Sequence, residues 1–142
     1  MFQKPVLILL LLTAALPAQA YDLSQHQWRD RLLILAADDP ADAALRDKLE
    51  AVRQKQAGIE DRRLVVFQLL AHSGSVDGRT LSASDLSHLR ELLRIAPGQR
   101  EMILIGLDGG IKRRTGLATD LDEIFAEIDR MPMRRIELDR RQ

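Results

Sequence analysis

The sequence predicts an α/β domain built on a central mixed four-stranded sheet with helices on both faces. Three observations carry this expectation. Two short apolar runs, residues 32–37 and 64–70, are continuous rather than alternating, as strands buried on both faces are. Around them, leucines recur at the three- and four-residue spacing of amphipathic helices. A third apolar run, residues 102–105, leads into Asp108-Gly109-Gly110, a turn whose glycines supply the positive φ that tight hairpins need.

Taken in order, the polar segment 22–31 precedes the first strand. Asp39-Pro40 reads as a helix start, with a capping carboxylate and proline at the first helical position. Leu45, Leu49 and Val52 form that helix's inner stripe. Arg53 and Lys55 suit its C-terminal dipole, and Gly58 lies beyond its end. The second strand follows. Ser73-Gly74-Ser75 and Asp77-Gly78 then mark a loop. Ser82 caps the second helix, with Asp85 three residues on and Leu81 and Leu86 placed as a hydrophobic staple. Leu86, Leu89 and Leu93 face inward, and Pro97-Gly98 ends the helix. After the third strand and its turn, the returning strand 111–115 carries Lys112, Arg113 and Arg114. Adjacent cations of this kind belong at a sheet edge, where they discourage pairing with another chain. Thr119 caps a last helix bearing Leu121, Ile124, Phe125 and Ile128 on one face and ended by Pro132; the charged tail from Ile136 frays. The resulting order, β-α-β-α-β-β-α, is that of the thioredoxin fold, with a ferredoxin-like split βαβ arrangement as the alternative.

The N-terminus speaks to compartment. Lys4 precedes an apolar stretch over residues 6–16, and Ala18-Gln19-Ala20 has the small-x-small form of a signal-peptide cleavage site. A membrane span needs about 20 apolar residues, and this run is about half that before Pro17 interrupts it. The expectation is a signal peptide over residues 1–20 and one domain over 21–142, exported to the periplasm or secreted, with no stable membrane anchor after cleavage. With Lys4 gone the charge falls to near −1. That argues against nucleic acid as a partner, since such binders carry a basic excess. The chain has no cysteine, which removes thiol redox catalysis, thiolate nucleophiles and Cys-zinc or iron–sulfur sites.

Three blocks resemble one family. Trp28-Arg29-Asp30-Arg31-Leu32-Leu33, the segment Leu104-Ile105-Gly106-Leu107-Asp108-Gly109-Gly110-Ile111-Lys112, and Ile128-Asp129-Arg130-Met131-Pro132-Met133-Arg134-Arg135 are similar to the signature of a bacterial domain family of unknown function. It is related to the extracellular vertebrate DUDES (Equarin/URB/SRPUL-type) proteins. The resemblance implies a peroxiredoxin-like thioredoxin fold on an exported protein and marks Trp28, Arg31, Asp108, Gly109, Lys112, Asp129, Pro132, Arg134 and Arg135 as motif residues. Where thioredoxins carry Cys-x-x-Cys, this chain reads Ala37-Asp38-Asp39-Pro40-Ala41, so fold analogy gives no warrant for redox chemistry.

Few constellations carry chemistry. Asp38 and Asp39 end the first strand, where open α/β sheets bind ligands, and His72 follows the second strand at the same end. Together they form a candidate ligand site for a hard cation or for base catalysis; the plainer reading is a helix cap, a solvated carboxylate and a surface imidazole. Lys112, Arg113 and Arg114 with Arg134 and Arg135 either bind an anion or acidic partner, or pair with the interleaved Asp120, Asp122, Asp129, Glu137 and Asp139. Met131-Pro132-Met133 either packs over the sheet or offers an adaptable contact surface. Trp28 is expected to anchor over the core entrance. No cofactor and no catalytic residue is assigned. The reading is a cysteine-free, non-catalytic module that binds an envelope or extracellular protein. The alternatives are a small enzyme or metal- or anion-binding protein using Asp38, Asp39 and His72, or a redox-related peroxiredoxin-like protein.

Overall fold

A computed structural model describes residues 19–142; the signal-peptide expectation lies almost wholly outside them. A 3-10 turn at Leu23–His26 leads into six strands and five helices. In chain order these are β1 (Arg31–Ala36), α1 (Ala43–Gln54), α2 (Gln56–Asp61), β2 (Leu64–Leu69), β3 (Gly74–Val76) and β4 (Arg79–Thr80). There follow α3 (Ala83–Leu92), β5 (Glu101–Ile105), β6 (Ile111–Thr115), α4 (Leu121–Asp129) and α5 (Pro132–Asp139).

The strands form one mixed sheet ordered β4-β3-β2-β1-β5-β6. β1 runs parallel to β2 and antiparallel to β5, and the expected β5–β6 hairpin closes one edge. The four strands β2-β1-β5-β6 are the expected ones. The sheet nevertheless has six, because segment 73–80 is a strand pair and not a loop. Val76 packs inward from it, Leu81 donates its N–H to the Gly74 carbonyl at 2.8 Å, and Asp77 and Gly78 make the reversal at positive φ.

Every residue of β1 is buried, as a central strand covered on both faces must be. Leu33, Leu35 and Ala37 pack beneath α1, α2 and α4, against Leu45, Ile59, Ile124 and Ile128. Leu32, Ile34 and Ala36 face α3 through Phe67, Leu86, Leu89 and Leu93. Helices on both faces thus follow from period-two alternation in a strand that is apolar throughout.

Helix boundaries differ from expectation in instructive places. Asp39 does not cap α1: its carboxylate accepts from Ala41 N in a turn, and Asp42 caps instead, accepting from Leu45 N at 3.0 Å. Gly58 does not lie past a helix end. The chain breaks for one residue at Lys55 and restarts as α2, with Gly58 inside it. Ser82 caps α3 as expected, accepting from Asp85 N at 3.1 Å. Asp120 caps α4 in place of Thr119, whose hydroxyl bonds Thr115 at 2.6 Å. Pro132 ends α4 and also opens α5, so the tail expected to fray is helical to Asp139. Among the described residues no helix is long and apolar enough to cross a membrane.

Candidate functional site

The candidate ligand end of the sheet is occupied by the protein itself. Asp38 accepts from Arg90 Nη2 at 3.1 Å and from Gly98 N at 2.7 Å. The same guanidinium donates to the Leu70 carbonyl at 3.1 Å and the Ala96 carbonyl at 3.3 Å. Asp39 is spent on its own turn, and His72 is exposed between β2 and β3. Among the described residues no group of three or more His, Asp or Glu is placed to hold a metal ion. Asp38 is therefore a bolt across the β1 and β2 ends.

The late basic residues are absorbed in the same way. Lys112 reaches Asp108 at 2.7 Å. Arg113 reaches Glu123 at 3.2 Å and Glu127 at 3.3 Å. Arg114 pairs with Glu101 and donates to the Leu93 carbonyl at 2.8 Å. Arg134 is 1% exposed. It contacts the carboxylates of Asp61, Asp129 and Glu137 and donates to the Asp61 carbonyl at 2.8 Å. Arg135, next in sequence, points to solvent. One helical step separates a buried cation from a solvated one, and α5 docks because of the first.

Around Arg134 the opposite end of the sheet is closed by a network. Arg62 grips Asp129 with two nitrogens, at 3.1 and 2.7 Å, while its guanidinium lies 4.2 Å from the Phe125 ring centre. Arg31, fully buried at the start of β1, donates to the Arg62 carbonyl at 3.0 Å and reaches Glu137 at 3.2 Å, while its Nε has no hydrogen-bond partner. Hydrogen bonds from Arg141 and then Arg134 hold the Asp61 carboxyl below its ordinary value. For Asp129 and Glu137 burial pushes upward, but the arginine hydrogen bonds outweigh it and both end lowered. Of the motif residues, Arg31, Asp129 and Arg134 meet here, which makes their role a clasp. Arg62 and Asp61 were not singled out from sequence, while Glu137 was one of the acids expected to pair with the late basic residues.

Of the remaining motif residues, Trp28, Asp108, Lys112 and Pro132 meet beside the clasp, while Gly109 and Arg135 do not line this cavity. Trp28, Leu107, Asp108, Lys112, Met131, Pro132 and Met133 surround a cavity of about 420 Å³ with Arg31 at its wall. Trp28 does not anchor the core. Its side chain is 61% exposed, and its backbone lies at φ 65, held by a 2.6 Å hydrogen bond from its N–H to the Leu107 carbonyl. A bulky residue in the left-handed region is an outlier that surrounding structure must enforce. Here Gln27 helps, donating to the Asp108 carbonyl at 3.0 Å, while the hairpin turns on Gly109 at φ 82. Met131 packs against the core and Met133 stands 46% exposed, so the two expected roles of this block are divided between its two methionines.

The family model described as Domain of unknown function (DUF4174) matches residues 22–137. Sushi repeat-containing protein SRPX2 of Rattus norvegicus is 28% identical over 123 residues, covering 84% of this chain and 26% of that protein. The Homo sapiens SRPX2 is 27% identical over 124 residues, covering 84% and 27%. Coiled-coil domain-containing protein 80 of Danio rerio is 25% identical over 133 residues, covering 82% and 15%. The chain thus spans about a quarter or less of the length of these relatives. Among solved structures, a reduced 2-Cys peroxiredoxin of Plasmodium vivax superposes with a TM-score of 0.58 at 14% identity, covering 84% of this chain and 85% of that one. The fold is thioredoxin-like, of the peroxiredoxin kind. That likeness concerns the fold alone, and this chain brings no cysteine to it.

Proposed function

We propose a function from one premise: the chain belongs to the family described as Domain of unknown function (DUF4174). It acts as an exported, non-catalytic binding module that docks a protein of the cell envelope or extracellular space. The observation that carries this reading is the convergence of three distant segments, around Trp28, Asp108 and Pro132, on one cavity. An exposed tryptophan beside an apolar cavity is the residue type and setting in which binding energy concentrates. Methionine at the rim adapts to the shape of an inserted side chain. The strained backbone at Trp28 fits the same view, because strain persists where a site requires a fixed geometry. The occupant is a protein segment presenting one bulky apolar side chain; the Asp108–Lys112 pair at the edge offers it a polar rim.

Support for export comes from the basic, apolar and Ala-x-Ala pattern of residues 1–20. Support for a non-catalytic role comes from the absence of cysteine and from the self-occupied ends of the sheet.

The test is capture of envelope proteins by the exported chain beside its Trp28→Ala/Met133→Ala and Arg135→Ala variants. The expected result is a protein retained by the parent and by Arg135→Ala but lost from the cavity variant. Adding that purified protein then shifts the emission of the single tryptophan. Equal retention by all three variants refutes the site.

A further inference from the structure

Tyr21 is held the way a free chain terminus would be held. Its backbone nitrogen lies 2.8 Å from Oδ1 of Asp85, in the first turn of α3. Its ring meets Phe67 edge-on, with centres 5.7 Å apart, and stacks on His26 at 6.1 Å. Its hydroxyl lies 2.8 Å from His26 Nε2, and His26 Nδ1 lies 2.8 Å from Asp30. A carboxylate only accepts, so in the neutral imidazole Nδ1 carries the proton and Nε2 accepts from the tyrosine. Nitrogen, ring and hydroxyl are thus all fixed, while Gln19 and Ala20 immediately before them are exposed.

The residue so fixed is the one that follows Ala18-Gln19-Ala20. We propose that Tyr21 is the N-terminus of the processed protein and that its α-ammonium forms an ion pair with Asp85. Processing then creates the charge that fastens the N-terminal segment to α3. This rests on the export reading above.

The chemistry is amide hydrolysis by water. The Ala20–Tyr21 C–N bond breaks, the water oxygen joins the Ala20 carbonyl carbon as a carboxylate, and the Tyr21 nitrogen takes up protons to become –NH₃⁺. The peptide N–H has one hydrogen to give Asp85, whereas the ammonium has three and a full charge, and charge-assisted bonds are the stronger kind. The surroundings favour that charge. Asp85, Asp30 and Asp77 face this pocket with Arg29 and Arg79 as the opposing cations and His26 beside them. The positive end of the α3 dipole works against the ammonium, and Asp85 lies between the two.

The experiment uses the full-length gene expressed in a bacterial host, with protein recovered from the periplasm. Intact mass identifies the terminus, and isotope-labelled dimethylation of the α-amine lets its titration be followed by NMR. Expected are a terminus at Tyr21 and an α-amine pKa about half a unit or more above its ordinary range of roughly 7.7–8.0. In Asp85→Asn it returns to that range. A Tyr21 terminus whose amine titrates normally in the parent overturns the ion pair and leaves export standing. Any other cleaved terminus overturns the ion pair alone, and retention of residues 1–20 overturns both. The parent's own titration decides the matter even if Asp85→Asn fails to fold.

Discussion

Glu137 of α5 lies 3.2 Å from the buried guanidinium of Arg31, 106 residues earlier in the chain. The pair ties the last helix to the middle strand of the sheet. Because Arg31 is 0% exposed, that carboxylate is what balances its buried charge. Glu137→Gln should cost about 2–4 kcal/mol, since removing one partner strands a buried cation. Adding Arg31→Met should recover part of the loss, because it also removes the unpaired Nε. Urea unfolding of the two single variants and the double variant measures the coupling; simple additivity would contradict the pair.

Arg134 and Arg135 should behave oppositely despite being neighbours. Arg134→Ala leaves Asp61, Asp129 and Glu137 without their shared cation and opens a void, costing about 3 kcal/mol or more. Arg135→Ala, fully at the surface, should stay within about 0.5 kcal/mol of the parent. Thermal unfolding of both distinguishes a clasp from a surface patch.

Acid should open the clasp. The folded pKa values of Asp61, Asp129 and Glu137 are all lowered. A carboxyl with a depressed folded pKa adds stability above its unfolded value, and that stability is lost as pH falls through the folded pKa. The urea midpoint should therefore hold above about pH 5 and fall steadily below about pH 4. An Asp129→Asn/Glu137→Gln variant should show a shallower fall. A midpoint indifferent to pH between 5 and 3 would refute the assignment.

Gly58→Ala tests a helix that glycine would ordinarily weaken. Alanine is the better helix former by about 1 kcal/mol, but its Cβ would come 2.7 Å from Cε2 of Phe125. Phe125 is itself held under the Arg62 guanidinium. Overpacking costs about 1–3 kcal/mol, so the net change should be a loss of roughly 1 kcal/mol. Calorimetry on the variant gives the sign.

Trp28→Gly should separate stability from binding. Glycine relieves about 1–2 kcal/mol of left-handed strain and gives back a similar amount as unfolded-chain entropy and lost contacts. Melting temperature should barely move, while capture of the proposed envelope partner is lost. A variant that unfolds would show that the ring is structural after all.

What could be read from the residues depended on how locally each feature is encoded. β1 and β5 were legible because a strand buried on both faces must be apolar throughout; β2 was legible from its apolar run although Val65, Val66 and Gln68 are only partly buried, and the β5–β6 turn because only glycine readily takes the φ of Gly109. The β3–β4 pair was not, since a short edge hairpin needs little more than Val76 inward and is otherwise written in turn residues. Asp42 won the α1 cap from Asp39 because a turn intervenes before the helix starts, a matter of three residues and not of residue type. Internal pairing of the late cations was one of two open readings, but Lys112, Arg113 and Arg114 take Asp108, Glu123, Glu127 and Glu101, none of the acids expected of them; only Asp129 and Glu137, on Arg134, were. The burial of Arg134 was not legible: it depends on Asp61, far away in sequence and unmarked by any motif. Nor was the bolt at Asp38, whose partner Arg90 lies 52 residues on, in α3. His26 and Asp30 do sit at helical spacing, but Tyr21 had to fold back before the pair acquired a third member.

The clasp also sets an order of events. β1 is among the first elements of the domain to emerge from the ribosome, yet the carboxylate that balances its buried Arg31 arrives 106 residues later. Until residue 137 is out, the central strand carries an uncompensated charge that resists being enclosed, and the early chain gains little by collapsing. The fold is in effect gated by its own last turn of helix. Such a delay fits the export proposed above, which requires a polypeptide that stays threadable until it has crossed a membrane.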